Sequence, residues 1–350
     1  MMNLAFVAAL ALGLFVLLSW GVRALPAERW QMLAAIPVAK AADGSWRGVN
    51  LTFYGFFSAT GIAFGFAIML LLLVSVGIPV SITVLFAILL LVVCVPASRL
   101  IAGIVERKRN TFTIAGAAFV ASLIVPLLVL ALQPLAAKML VHEIAVLPIL
   151  AAAAISYALG ESVGRLACLS FGCCYGMPLR EAKPALARLF QKHNLVIHGS
   201  TKKAAYASGL AGEPLIPVQA ISSAVFAASG LAGLALFLSQ HFRLAALIPV
   251  IASWGWRACS ELLRADYRGS SRISVYQIMA ILSVVYLSIF LVLLPSSSTL
   301  TPDLSSAFAQ FSSAAIIFPL QLFWVALFLY YGRSRVTGST LSFHVIAERL

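Results

Sequence analysis

Acidic side chains are scarce in this chain: eleven aspartates and glutamates in 350 residues, with charged residues of either sign making up only 10%. A soluble domain carries about a quarter charged residues, so the soluble classes are excluded at once. Cysteine is also rare. Its five copies (Cys94, Cys168, Cys173, Cys174 and Cys259) lie within or beside apolar runs, which excludes the disulfide framework of a small secreted protein. The net charge of +13 raises nucleic acid as a partner, but RNA- and DNA-binding motifs are missing. The basic residues instead border apolar runs, where anionic lipid is the simpler match. No internal repeat is visible, so the inverted halves of many secondary transporters are not apparent. The first apolar run lacks a basic n-region, and the charges of "LSWGVRALPAERW" follow it, which reads as an uncleaved helix and not a signal peptide.

What is abundant is hydrocarbon, with 62% of residues hydrophobic. In a bilayer a helix satisfies its own backbone polar groups, and about 20 apolar residues suffice to cross. The pattern predicts an all-α polytopic transmembrane bundle of about nine spans: roughly 3–23, 52–76, 78–98, 112–132, 144–165, 217–238, 244–264, 273–293 and 313–331. These spans divide the remaining chain between two membrane faces. Face one receives 24–51, 99–111, 166–216, 265–272 and the tail from 332, together with all but two of the 24 lysines and arginines; Lys138 and Arg243 fall to face two. Because basic loops stay inside, face one is expected in the cytoplasm and the N-terminus outside.

The one long hydrophilic insertion, 177–216, reads either as a solvated basic loop or as a lid or arm. Few strongly apolar anchors stand out in it. Its "PALARLFQKHN" can form a short amphipathic helix at headgroup level, and the glycines that follow permit a hinge. Charged residues near spans are expensive and mark pairs or sites. Here they are Arg99, Glu161, Arg165, Arg257, Glu261 and Arg264, all toward face one. Glu161 and Arg165 are four residues apart, as are Arg257 and Glu261, so each couple is expected to share a helix face. Continuous helix would set Arg257 roughly 10 Å deeper than Arg264. A structural ion pair is one reading. The other is a phosphate site, since guanidinium forks match phosphate oxygens and stay charged in a greasy environment; the ligand implied is an anionic phospholipid headgroup.

The stretch "GRLACLSFGCCYG", 164–176, lies where the fifth span ends. Gly172 and Gly176 are expected to let the backbone turn and approach a ligand. Cys168, Cys173 and Cys174 read as small packing residues, as an acceptor-side thiol, or as metal ligands. A lone C-x4-C-C is weak evidence for metal, so no metal and no cofactor is expected.

In these residues the chain resembles bacterial prolipoprotein diacylglyceryl transferases, whose divergent relatives read G-R-x-G-C-x-x-x-G-C-C-Y-G. Further matches follow in order: "FYGFF" with Tyr54, "ASRL" with Arg99, "IPVQ" with Gln219, "WGWRACSELLRAD" with Arg257, Glu261 and Arg264, and "VYQIMAILS" with Gln277. The resemblance covers about 50–293. It implies a membrane core over 51–293, flanked by an extra N-terminal helix and loop (1–50) and an extra C-terminal helix and tail (294–350). It implies transfer of the diacylglyceryl group of phosphatidylglycerol to a lipoprotein-precursor cysteine at a bacterial inner membrane, with release of glycerol phosphate. Arg165, Arg257 and Glu261 would be catalytic: the arginines would hold the departing phosphate, and Glu261 would orient Arg257 or move a proton. Tyr54, Arg99, Gly172, Tyr175, Gly176, Gln219, Arg264 and Gln277 would line the substrate. The family's site faces the periplasm, opposite to the charge bias. Departures fall on the acceptor side, where Ala115 stands for the family's histidine, Cys168 and Cys173 for an asparagine and a glutamate, and Ala220 and Ile221 for a tyrosine–glutamate pair. Two rival classes are a non-catalytic lipid binder or translocator on the same fold and a thiol-based redox or metal protein.

Overall fold

A computed structural model describes residues 2–106, 113–139, 146–267, 273–295 and 300–350. Basic positions 107–109, 268 and 272 lie outside the described residues, as does the side chain of Lys138. In chain order the elements are α1 (Met2–Ala24), β1 (Met32–Lys40), β2 (Trp46–Thr52), α2 (Phe53–Ser75), α3 (Val80–Glu106), α4 (Ile114–Met139) and α5 (Val146–Phe171). An arm follows with α6 (Pro184–Phe190), β3 (Leu195–Val196), α7 (Lys203–Ser208) and β4 (Pro214–Leu215). The chain then forms α8 (Val218–Leu238), α9 (Phe242–Ser260), α10 (Val275–Leu293), α11 (Leu304–Phe311), α12 (Ala314–Gly332) and β5 (Arg333–Leu341).

Among the described residues, eight helices are long and apolar enough to cross a membrane: α1 to α5, α8, α10 and α12. The ninth expected span is α9. It has 19 residues, but Arg243 and Arg257 near its two ends make it less apolar than the rest. The bundle is organised around α5, which packs on α2, α8 and α9, while α10 lies against α9 and α4. The α2–α5 contact is close because glycine meets glycine. A Cβ on Gly61 would come within 2.7 Å of the Gly160 carbonyl, and one on Gly160 within 2.8 Å of the Gly61 carbonyl. Where lipid is as apolar as leucine, such small-residue seams bring backbones into van der Waals range and hold helices together.

Both faces assemble as the span order requires. On face one, β2 pairs antiparallel with β1 and with β5, so the 24–51 segment and the tail share a three-stranded sheet. This sheet was not expected. Its signal is the Asp43-Gly44 turn between two extended runs, masked in the sequence by neighbouring spans. On face two, the Asp303 backbone N–H donates to the Ser75 carbonyl (2.8 Å), and Arg243 donates to that of Leu294.

The arm is more firmly seated than its polar sequence suggests. Leu195, Ile197, Ala204, Leu210, Leu215 and Ile216 are buried. Lys202 is fully buried, its Nζ donating to the carbonyls of Leu25 (2.8 Å), Pro26 (2.9 Å) and Ala27 (2.9 Å) just past α1. The anchors are spaced irregularly because the arm is mostly loop, so no periodicity reveals them.

Candidate active site

Tyr157, Glu161, Arg165 and Cys168 follow one another at steps of four, four and three, which places them on one face of α5. Glu161 is the centre of the arrangement. Its Oε2 accepts from Arg165 Nη2 at 2.6 Å and from Arg257 Nη2, on α9, at 2.7 Å. Arg257 Nε donates to the Tyr157 hydroxyl at 2.9 Å. Aromatic faces complete the enclosure: the Arg257 guanidinium lies 5.5 Å from Trp254 and 5.8 Å from Phe226, and that of Arg165 lies 5.4 Å from Phe226. Ring quadrupoles attract the cations without neutralising them. Two positive charges therefore share one carboxylate oxygen, and the excess is positive. Two buried polar atoms beside it, Arg165 Nε and Gln219 Oε1, have no hydrogen-bond partner. Buried polar groups are nearly always satisfied, so an unpaired donor and acceptor at one place point to a ligand.

Both atoms belong to residues lining one recess. Arg257, Arg264, Cys174 and Ala115 line it too. The recess thus gathers Arg165, Arg257 and Arg264, three of the four arginines expected at the site.

Arg99 is elsewhere, donating to the Tyr330 hydroxyl and lying over that ring on α12. Arg264, as expected, reaches the recess; it grips Asp266 through Nε and Nη2 (2.8 Å each) and reaches Glu261 with Nη1 (3.3 Å). Burial pushes the Asp266 carboxyl up to about 6 against the pull of Arg264. At pH 7 the carboxylate is still ionised and holds Arg264.

The Arg257–Glu261 couple does not form as expected. The α9 helix ends at Ser260, and Glu261 enters a short 3-10 turn, so the i, i+4 geometry is lost and Arg257 turns to Glu161 instead. The same break cancels the helical spacing from Arg257 to Arg264, whose backbone is extended. Glu261 still lines the recess, accepting from the Ser274 hydroxyl at 3.1 Å.

Of the other expected substrate contacts, Gln219 reaches the recess while its Nε2 donates to the Cys173 carbonyl (3.0 Å). Gly172 does take the left-handed conformation, φ +69°, that ends α5. Gly176 lies against backbone, where a Cβ would clash with the Ile216 carbonyl. Tyr175 points into the arm, its hydroxyl 2.6 Å from Ser208 Oγ. Gln277 caps α10 and donates to the Ala258 carbonyl. Tyr54 packs edge-on to Phe171 near the cysteines, outside the recess lining. Missed by the sequence reading were Tyr157, Phe226, Trp254 and the second partner of Glu161. The 157–161–165 step was the available signal.

Long apolar helices around a buried, arginine-lined recess define a multi-pass membrane protein with a site at the face-one ends of its spans. The chain belongs to the prolipoprotein diacylglyceryl transferase family, whose family model matches residues 45–294. It is accordingly a transferase-type membrane enzyme of lipoprotein biosynthesis. The match includes every residue lining the recess and leaves α1, α11 and α12 outside. No curated protein and no solved structure matches the chain.

Proposed function

We propose that the chain transfers a diacylglyceryl group from phosphatidylglycerol, or a similar anionic phospholipid, to a cysteine thiol of a lipoprotein precursor or to another acceptor, in a bacterial inner membrane. The observation that carries this is the Arg165–Glu161–Arg257 unit, with excess positive charge and an unpaired Arg165 Nε beside the recess. A phosphate oxygen accepts from that Nε. The glyceryl carbon–oxygen bond to phosphate breaks, the acceptor sulfur bonds to that carbon, and glycerol phosphate leaves with the bonding pair, its charge stabilised by the two guanidiniums. The thiol's proton needs a base. Glu161 is already occupied by two arginines at 2.6 and 2.7 Å, while Glu261 has looser partners at 3.1 and 3.3 Å. We assign the proton to Glu261, because Ala115 occupies the recess where the family pattern has histidine. Gln219 Oε1 is placed to accept from a headgroup hydroxyl.

The test uses the full chain in nanodiscs containing labelled phosphatidylglycerol, with a precursor peptide bearing a single cysteine. Glycerol phosphate release matched by a diacylglyceryl mass gain on the peptide is expected, with phosphatidylcholine inert. Release without peptide modification would move the acceptor elsewhere. Lipid binding with no release would replace the transferase by a lipid carrier.

A further inference from the structure

A second cluster adjoins the recess and is not used by this chemistry. Cys168, in the last turn of α5, and Cys173 and Cys174, just past it, bring their three Sγ atoms within 4.8 Å of one another. The Cys168 and Cys174 sulfurs are 3.9 Å apart, and none of the chain's cysteines is in a disulfide. We propose that these three residues form a three-thiolate site for a soft d10 metal ion, Cu+ or Zn2+. Sulfur binds such an ion at about 2.3 Å, and three sulfurs around one centre are then about 4 Å apart. The Cys168–Cys174 pair already has that spacing, and the third sulfur lies within 4.8 Å of both.

The local backbone is shaped to produce it. Gly172 turns left-handed at the end of α5, and the Cys173 N–H donates back to the Cys168 carbonyl (3.2 Å), folding the chain over its own helix end. Cys174 then adopts φ +55°, a conformation side-chain-bearing residues avoid, and so stays within reach of Cys168. The Gln219 amide holds the turn through the Cys173 carbonyl. Arg165 and Arg264 line the same recess as Cys174 and offset the negative charge of the thiolates. Among the described residues no histidine or carboxylate joins the set. Three sulfurs alone satisfy Cu+, whereas Zn2+ would keep its fourth position open toward the recess.

The test is metal competition on the full chain in nanodiscs, reduced and stripped with chelator, without donor lipid or acceptor. Zn2+ alone and Cu+ alone, the latter without oxygen, are each titrated against a chromophoric chelator. Binding of one ion per chain is expected, at least 100-fold weaker in Cys174→Ser and in Cys168→Ala and unchanged in Cys94→Ser/Cys259→Ser. Saturation by Cu+ only identifies the three-coordinate site, and by Zn2+ the open one. Failure of both ions to compete, equal binding in the cluster variants, or recovery of the cluster as a disulfide from unreduced membranes would each overturn the proposal. The transferase reading stands or falls separately, because no turnover is measured.

Discussion

Glu161 holds two guanidiniums on one oxygen, and that single contact decides how the site's charges are apportioned. Its removal leaves two buried cations without their carboxylate, a defect worth about 3–5 kcal/mol when a buried pair is broken. Glu161→Gln is therefore expected to lower the melting temperature by several degrees and to abolish transfer. Glu261→Gln loses only contacts of 3.1 and 3.3 Å, so it should melt close to wild type while transfer falls by about 100-fold. Thermal melts and turnover on both variants separate the roles, and equal melting losses would contradict the assignment. Of this, the sequence made legible the 161–165 pair, because i, i+4 spacing survives wherever the helix continues. It concealed the partner of Arg257, because the helix stops one residue before Glu261, and no feature of "CSELLRAD" marks that stop. Arg99 joins the expected site through its place near a span end and the "ASRL" match, neither of which tells which neighbouring helix a side chain meets.

The elements place these residues by two devices, a seam and a dock. The seam is the glycine contact of α2 and α5. Gly160→Leu must separate the helices, which shifts the α5 stripe, and loss of both folded yield and transfer is expected; normal yield and turnover would show the seam to be incidental. The dock is Lys202 in the carbonyls past α1. Burial lowers its amine from 10.5 to about 7, so the docked arm binds fewer protons than an undocked, solvated one between those values. Stability should be flat below about pH 7 and rise from there toward pH 10. Thermal unfolding across pH 6 to 9.5 reads this directly. Lys202→Met should remove the rise, and persistence of the wild-type slope would assign it to another group. The apolar runs located each of the nine long helices among the described residues. They could not find the arm's anchors or the pairing of β2 with β5, whose partners are more than 280 residues apart.

At the scale of the molecule, the contacts agree with the two faces into which the span order sorts the loops. The 24–51 segment, the arm, the turn after α9 and the tail meet one another directly through the sheet, Lys202 and the Gly176–Arg264 bridge. The charge bias predicts this basic face in the cytoplasm. In a Cys94→Ser/Cys259→Ser background, an impermeant thiol reagent added to intact cells is expected to label Ser239→Cys and spare Ser200→Cys. The reverse pattern would put the site on the periplasmic side, as the family resemblance implies. Whichever side it faces, the proposed transfer requires Arg165 and Arg257 to hold a donor phosphate in the recess. The most direct measurement is turnover of Arg257→Lys in phosphatidylglycerol nanodiscs alongside its thermal melt. Lysine keeps the charge but loses the fork that joins Glu161 and Tyr157, so a fall of about 100-fold or more with little change in melting is predicted. Wild-type turnover, or a variant that fails to fold, would show that the arginines hold the bundle together and do not serve the chemistry.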